Sequence, residues 1–325
     1  MTAWTMTPRD KKVLIIVRCG NKSLHTNWVK SNVNYDIILL PYEEVSFLDS
    51  KNSILTKVLK GQKWKSVYNY ILDNIDFIIK YSHVWIPDDD LDSSAEILSA
   101  FFSAAQKENV KLAQPSLTLD SFYSHLITLS FPFSYSRAVS FVEVMAPLFS
   151  RDALLDCLWT FNINESGWGL EEVWFKILSS KSDFKSNNIV IYDCFSIKHT
   201  RPVGAQNRGL SKHSASPMAE QTKIQKYWNL RNKRTIFSIN YEYKAHYPFT
   251  SSQKKSKYFC KLINKNLIAM SANQSITFKR RLGGAQGTEL SPVLVSYILT
   301  QKFLYIFTVI REKYLKFFCK DKCYE

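Results

Sequence analysis

Residues 81–90 read Tyr-Ser-His-Val-Trp-Ile-Pro-Asp-Asp-Asp, a short apolar run that a proline ends and three aspartates follow. Such a run is typical of a buried strand that stops at the surface of a domain. Three adjacent carboxylates repel one another, so they require a cation, the N-terminus of a helix, or full solvation. The stretch predicts a strand whose carboxyl end carries an acidic cluster.

Short apolar runs and helical periods alternate on both sides of this stretch. Residues 11–18 and 36–41 precede it as strands, whereas 94–108 has helical spacing and 111–115 and 189–193 are further strands. Alternating strands and helices predict an α/β domain with a Rossmann-like, mostly parallel central sheet flanked by helices. Ligands bind such sheets at the carboxyl ends of the strands.

The charge of the 325-residue chain is unevenly distributed. The formal net charge is +15, yet residues 1–200 carry 20 basic and 22 acidic side chains, and residues 201–325 carry 23 basic and 6 acidic. We therefore predict a domain over residues 1–208 and a basic, largely helical extension over 209–325, which begins with a polar connector at 209–234. Such a basic segment indicates an anionic partner, such as a membrane lipid, a charged glycan or a nucleic acid.

Several features predict the cellular compartment. The six cysteines form no CxxC pair and no zinc-ligand spacing, as expected in a reducing compartment. The first ten residues lack the apolar run of a secretory signal. Residues 297–318 are apolar with interspersed Lys and Arg, which suits either a buried helix or one lying in a membrane surface. We expect a cytoplasmic protein with peripheral association at the inner face of the cytoplasmic membrane.

The acidic cluster Asp88, Asp89 and Asp90 has two interpretations. A divalent cation shared with substrate phosphates suits it, because Mg²⁺ usually takes only one or two protein carboxylates. A solvated strand–helix turn suits it equally, because acids favour the N-terminus of the next helix. His199 follows the strand over 189–193 and supports the metal interpretation.

Residues 167–172 read Gly-Trp-Gly-Leu-Glu-Glu, a loop that leads into a helix with two first-turn carboxylates. A transferase that acts on an acceptor hydroxyl requires a carboxylate base close to that hydroxyl, and the indole of Trp168 can stack on a sugar or a base. The simpler interpretation is that Glu171 and Glu172 stabilise the helix dipole while Trp168 packs into the core.

In this order, the motifs resemble those of the GT-A glycosyltransferases. Asp-x-Asp after a strand, then Gly-Trp-Gly-x-Glu, then His is the order in inverting β-1,4-galactosyltransferases. A closer resemblance is to a family of GT-A-like bacterial and plant proteins, some of them encoded with surface-polysaccharide genes. The resemblance covers residues 11–204, and its matching stretches are 18–20, 23–25 with Trp28, 61–64, 85–91, 114–115, 141–147, 167–171 and 199–204.

The resemblance implies a nucleotide-sugar donor, with a UDP-sugar favoured, and transfer of its sugar to a hydroxyl of a glycan or lipid-linked glycan acceptor. It implies that Asp88, Asp90 and His199 hold Mn²⁺ or Mg²⁺ on the donor diphosphate. The candidate donor-binding residues are Arg18, Gly20, His25, Lys63 and Asp89.

The resemblance also implies a catalytic base. Glu171 is the first candidate, and Glu172 is the second because the galactosyltransferase base corresponds to the next position. Trp168 and Glu143 are the candidate acceptor-binding residues. Glu143 is an acid inside an apolar segment, for which a salt bridge with Arg137 or Arg151 is the structural alternative.

We therefore predict a metal-dependent, inverting, hexosyltransferase-like enzyme that builds a bacterial capsule, O-antigen or lipooligosaccharide. One alternative is a non-catalytic nucleotide- or glycan-binding protein of the same fold, because a fold does not guarantee turnover. Another is a nucleic-acid-binding protein acting through its basic half, although no RRM, KH, helix-turn-helix or zinc signature is present and no specific nucleic acid is expected.

Overall fold

The computed structural model describes residues 13–48, 52–131, 134–202, 216–230 and 234–240. Ten strands occupy these ranges: β1 Val13–Cys19, β2 Tyr35–Pro41, β3 Ser53–Leu55, β4 His83–Trp85, β5 Leu91–Asp92, β6 Leu112–Leu117, β7 Ser136–Val139, β8 Leu148–Ser150, β9 Ile189–His199 and β10 Ile236–Asn240. Six α-helices accompany them: α1 Lys63–Asp73, α2 Ile75–Ile78, α3 Ala95–Lys107, α4 Arg151–Cys157, α5 Leu170–Ser179 and α6 Pro217–Tyr227. The predicted α/β class is confirmed.

The strands form one central sheet in the order β10-β7-β9-β6-β8-β4-β1-β2-β3, and β5 pairs with the end of β9. Pairing is parallel for β1 with β2 and β4, for β2 with β3, and for β6 with β9. It is antiparallel for β8 with β4 and β6, for β7 with β9 and β10, and for β5 with β9. The sheet is therefore mixed rather than mostly parallel. Among the described residues, no α-helix lies between β6 and β7 or between β7 and β8. A parallel strand usually requires a helical crossover connection, so these strands pair in antiparallel fashion.

Two buried tryptophans connect the end of β4 to the loop before β8 and to the start of β5. β1 and β2 are buried along their whole length, as expected of central strands. The indole N–H of the fully buried Trp85 donates to the Ala146 carbonyl at 2.9 Å. Trp28 lies against Trp85 with ring centroids 5.3 Å apart, and its N–H donates to the Leu91 carbonyl at 3.2 Å. These contacts join the end of β4 to the loop before β8.

The prediction of a polar connector over residues 209–234 is wrong where helix α6 lies, and strand β10 follows it. α6 begins at Pro217 after a capping Ser216, whose hydroxyl accepts from a backbone N–H of the first turn. Both residues are helix-start signals that the basic composition of the segment obscured. Because β10 pairs with β7, residues 216–240 extend the first predicted domain, and a boundary after residue 208 would divide its sheet.

Residues 241–325, including the predicted interfacial helix over 297–318, lie outside the described residues. The basic extension therefore stays a prediction over this range. Among the helices that the structure describes, none has both the length and the apolar character required to cross a bilayer.

Candidate functional site

A short antiparallel ladder brings the acidic cluster and His199 together. β5 directly follows the cluster, and its Leu91 lies opposite His199 at the end of β9. The backbone N–H and the hydroxyl of Thr200 both donate to the Asp90 carbonyl, at 3.1 and 2.9 Å. The carboxyl ends of β4 and β9 therefore meet at one edge of the sheet.

Asp90 and His199 form a buried pair. Oδ2 of Asp90 lies 3.3 Å from Nε2 of His199. Nδ1 of His199 donates to the Phe122 carbonyl at 2.8 Å, so this nitrogen carries a proton. Burial alone would lower the pKa of His199, but the hydrogen bond and charge of Asp90 outweigh it and raise the pKa to about 9. Oδ1 of Asp90 is buried and has no hydrogen-bond partner among the described residues.

Asp88 is paired with Lys63. The Lys63 Nζ lies 2.7 Å from Oδ1 of Asp88 and donates to the Val144 carbonyl at 2.9 Å. The Asp88 side chain remains 36% exposed. Partial burial raises the pKa of this carboxyl, and the charge of Lys63 opposes the rise. The ammonium group thus compensates one of the three clustered charges.

Two of the three predicted metal ligands converge. A buried carboxylate oxygen without a partner and an imidazole whose Nδ1–H is fixed by a carbonyl fit a hydrated Mn²⁺ or Mg²⁺. In the part of the chain that the structure describes, no group of three or more His, Cys, Asp or Glu side chains is placed to hold a metal ion. Asp90 and His199 would therefore supply two ligand positions for such an ion, while Asp88 is paired with Lys63.

Asp89 is enclosed by donors of its own chain. Its carboxylate, 1% exposed, accepts from the Gly20 N–H at 3.1 Å, from the Tyr42 hydroxyl at 3.2 Å and from Arg201 at 3.0 Å. A Cβ at position 20 would lie 2.5 Å from the Tyr42 hydroxyl and from the Glu43 carboxylate, so a larger residue there would displace these two side-chain ends. Asp89 therefore organises the loop after β1.

Arg18 and His25, two of the predicted donor-binding residues, lie in different environments. Arg18 donates to the Gly61 carbonyl at 3.0 Å, whereas its Nη1 is buried without a partner among the described residues. Nδ1 of His25 lies 2.8 Å from the Ser23 hydroxyl, and its ring contacts Phe47 edge-on at 4.5 Å. Burial lowers the pKa of His25 to about 4, so its imidazole is neutral at pH 7. Arg18 offers a cationic donor, and His25 offers an uncharged ring.

Two left-handed glycines shape the loop before α5. Gly167 and Gly169 have φ of 80° and 92°. A Cβ at position 167 would lie 2.2 Å from the Trp64 ring, and one at position 169 would lie 3.3 Å from Ile224. Trp168, between the two glycines, is only half-buried. The interpretation that Trp168 is a core residue is therefore wrong.

The two first-turn glutamates of α5 are buried and hydrogen-bonded. Oε2 of Glu171 accepts from the Gly169 N–H at 2.8 Å, and Oε2 of Glu172 accepts from the Gln225 side chain at 2.9 Å. Burial raises the pKa of Glu171 to about 8 and also raises the pKa of Glu172. Buried carboxylates with raised proton affinity are typical of general bases and acids, rather than of solvated helix caps.

Glu143 interacts electrostatically with Asp88 of the acidic cluster, with His199, and with Glu171 of α5. It lacks the salt bridge that was the structural alternative. Arg137 instead pairs with Asp193 at 2.8 Å, both side chains being fully buried, and Arg151 is exposed. Oε2 of Glu143 is buried with no hydrogen-bond partner among the described residues. Burial raises the pKa of Glu143 to about 7, and the nearby charge of His199 opposes the rise. Glu143 lies close enough to Glu171 for their charges to interact.

Sequence reasoning missed the residues that α6 and β10 contribute. The Arg234 guanidinium lies 4.5 Å from the centre of the Phe141 ring and interacts electrostatically with the three buried glutamates, Glu143, Glu171 and Glu172. The carboxylate of Glu220 accepts from two backbone N–H groups of the Gly-Trp-Gly loop region, and Gln225 holds Glu172. The helix-start signal at residues 216–217 was the available clue, because it predicts an ordered segment after residue 208.

A family model described as "Protein of unknown function (DUF707)" matches residues 134–242. This range includes Glu143, Glu171, Glu172, His199 and Arg234. No curated protein matches the chain.

Solved structures of the S. aureus protein TarS are distantly similar to the chain. A crystal structure of TarS is 10% identical with a TM-score of 0.38, and the match covers 66% of this chain and 43% of that one. TarS 1–349 in complex with UDP-GlcNAc is 9% identical with a TM-score of 0.41, covering 67% of this chain and 72% of that one. The chain therefore matches less than half the length of the longer TarS structure.

Proposed function

We propose that the protein is a metal-dependent glycosyltransferase that moves a sugar from a nucleotide-sugar donor, with a UDP-sugar favoured, to an acceptor hydroxyl. The observation that carries this proposal is the presence of two kinds of group at one edge of the sheet. Asp90 and His199, beside the Lys63–Asp88 pair, suit a diphosphate with its cation, and the buried Glu143 and Glu171 suit proton transfer from a hydroxyl.

On the donor side, the chain provides fixed charges around the acidic cluster. Asp90 and His199 would hold the cation, and Lys63 and the unpartnered N–H of Arg18 would bind phosphate oxygens. Asp89 would act indirectly, by fixing Gly20 and Arg201. Mn²⁺ or Mg²⁺ would supply charge stabilisation for the departing nucleotide diphosphate.

On the acceptor side, Glu171 would remove the proton from the attacking hydroxyl. Its burial raises the pKa to about 8, so the ionised form is a stronger base than an exposed carboxylate. Attack on the sugar by an acceptor so activated inverts the anomeric centre. Trp168, half-buried between two glycines of positive φ, would stack on the acceptor, and Glu143 would bind one of its hydroxyls.

A non-catalytic nucleotide- or glycan-binding protein is the second candidate. It is favoured by the Lys63–Asp88 pair and by the lack of a three-ligand metal group among the described residues. A binding protein requires neither a cation nor an ionised base.

We further propose that the acceptor is a glycan or lipid-linked glycan of a bacterial surface polysaccharide, assembled at the inner face of the cytoplasmic membrane. Supporting this, residues 201–325 carry 23 basic and 6 acidic side chains. Each basic residue near anionic lipid contributes about 1 kcal/mol of attraction.

The test is binding and turnover of defined donors by the full chain. Thermal unfolding is measured with UDP-, GDP-, CMP- and dTDP-sugars, each with and without Mn²⁺, because binding to the native state raises the melting temperature. We expect a rise that requires one nucleotide and Mn²⁺, and that is lost in Asp88→Ala and Asp90→Ala. Asp92→Ala, an exposed aspartate two residues further on, is the matched control and retains the rise.

Release of nucleotide diphosphate separates the two candidates. A glycosyltransferase releases it from the bound donor, and Glu171→Gln lowers the rate at least about 100-fold while donor binding remains. Donor binding without release would indicate the binding protein. No thermal shift with any donor would reject the glycosyltransferase and a nucleotide-binding protein, and would leave a glycan-binding protein.

A further inference from the structure

Three buried polar atoms next to α5 have no hydrogen-bond partner among the described residues: Oε2 of Glu143, Oε1 of Glu172 and Nε of Arg234. Glu143 and Glu172 are 6% and 9% exposed. Arg234 interacts electrostatically with both, and with Glu171. Leaving a buried polar group without a partner destabilises the fold, so two such carboxylates within electrostatic range of one such guanidinium indicate a ligand.

Each of the three side chains is held in place by other contacts. Thr235 exchanges two hydrogen bonds with Ser140, of 2.8 and 2.9 Å, which fixes the backbone beside Arg234. The Arg234 guanidinium is then held over Phe141, at 4.5 Å from the ring centre.

The two glutamates are fixed in the same way from other elements. Gln225 of α6 binds the second oxygen of Glu172 at 2.9 Å. The backbone N–H of Glu143 donates to the Gln114 side chain at 2.6 Å. The arrangement is therefore built before any ligand binds, as in most small-molecule sites.

The available groups define the chemistry of the ligand. Nε–H of Arg234 is a donor, and the two carboxylate oxygens are acceptors. Hydroxyl groups donate and accept, so a polyhydroxylated ligand can satisfy all three atoms. Above about pH 8, where Glu143 and Glu171 are ionised, a carboxylate or phosphate would be repelled, because three glutamate charges then act against the single guanidinium of Arg234.

We propose that Glu143, Glu172 and Arg234 form a subsite for an uncharged sugar ring, which admits neutral pyranoses and excludes acidic ones. In the context of the proposed function, on which this subsite's role rests, the ring belongs either to the acceptor or to the transferred sugar of the donor. α6 and β10 complete the subsite, through Gln225 and Arg234.

The experiment measures binding of simple sugars to the full chain at pH 8.5 by saturation-transfer NMR. The probes are the methyl β-glycosides of glucose, galactose and N-acetylglucosamine, with methyl β-glucuronide as the acidic counterpart. A donor arm compares the affinities of UDP and the corresponding UDP-sugars. We expect either a neutral glycoside to bind at least 10-fold more tightly than the glucuronide, which assigns the acceptor ring, or a UDP-sugar to exceed UDP at least 10-fold, which assigns the donor ring.

Variants tie this binding to the subsite. Glu172→Gln and Arg234→Met lose at least 10-fold in sugar affinity, and the exposed controls Glu165→Gln and Arg151→Met lose none. Arg234→Lys keeps the charge but lacks the Nε–H, so it does not restore affinity, whereas simple charge compensation would. Thermal unfolding reports whether each variant is folded. If Arg234→Met is unfolded, Glu172→Gln and Arg234→Lys are the variants that test the subsite.

Three results would overturn the subsite: wild-type protein that binds no neutral sugar in either arm, equal affinity for the glucuronide, or unchanged affinity in Glu172→Gln and Arg234→Lys. UDP with Mn²⁺ is titrated into the same variants. If the wild-type protein binds UDP but no neutral sugar, the subsite alone is rejected. If it binds no UDP, the donor site of the proposed function is rejected.

Discussion

Single residues at this sheet edge are placed by charge pairing inside the chain. The buried Arg137 makes two contacts to Asp193, Nε to Oδ2 at 2.9 Å and Nη2 to Oδ1 at 2.8 Å, and donates to the Ile127 and Leu129 carbonyls. Because Arg137 is engaged there, Glu143 has no cationic hydrogen-bond partner among the described residues, and it interacts electrostatically with His199 and Arg234. The ion pair between β7 and β9 is therefore structural.

Asp193→Asn is predicted to destabilise the fold by about 3–5 kcal/mol, because it leaves the buried guanidinium of Arg137 without a counterion. Urea unfolding measures the change in the free energy of unfolding. The matched control is Asp120→Asn, which breaks the exposed pair with Lys198 and leaves stability nearly unchanged. Equal effects of the two substitutions would contradict the structural role of the buried pair.

At the scale of elements, the segment after residue 202 decides what the site contains. β10 extends the sheet beside β7 and carries Arg234 just before its first residue. α6 packs on the Gly-Trp-Gly loop through Ile224, which a Cβ at Gly169 would approach to 3.3 Å. Apart from the helix-start signal at residues 216–217, neither element has a motif of its own, and both act through contacts with distant residues.

Backbone amides over residues 234–240 are predicted to exchange with solvent at least about 10-fold more slowly than in an unstructured peptide, because β10 is paired in the sheet. Hydrogen–deuterium exchange with mass spectrometry measures this. Ile236→Asp places a charge at a fully buried position and speeds exchange in both β10 and β7. Ser238→Asp, at a half-buried position of the same strand, does so much less. Unprotected amides in the wild type would contradict the pairing.

For the whole molecule, buried titratable groups link stability to pH. Burial raises the pKa of Glu171 from 4.5 to about 8 and that of Glu143 from 4.5 to about 7. Burial would lower the pKa of His199, but the hydrogen bond and charge of Asp90 raise it from 6.5 to about 9. In each case the folded state binds the proton more tightly than the unfolded state, so the free energy of unfolding falls as the proton leaves.

Burial lowers the pKa of His25 and His83 to about 4, so these two groups make stability rise with pH up to about 6.5. Above that range their effect is complete, and stability is predicted to fall from pH 6.5 to pH 8.5. Glu171 and Glu143 lower the free energy of unfolding as pH rises above 4.5, and His199 lowers it as pH rises above 6.5. Glu171→Gln removes one titrating group facing Glu143, Glu172 and Arg234 and makes the fall shallower, whereas the exposed Glu165→Gln does not. Thermal unfolding across this pH range measures the slope. A stability that rises with pH would show that the carboxylates are ionised throughout.

The sequence by itself determined the α/β class, the strand that ends at the acidic cluster, and the loop that precedes Glu171 and Glu172. These features depend on local patterns: apolar runs, a terminating proline, and glycines where φ is positive. Only the tertiary structure decided that β7 and β8 run antiparallel, that Arg137 pairs with Asp193, and that Arg234 lies among the buried glutamates. Those outcomes depend on contacts between residues far apart in the chain, where burial and charge compensation are set by packing and leave no local pattern.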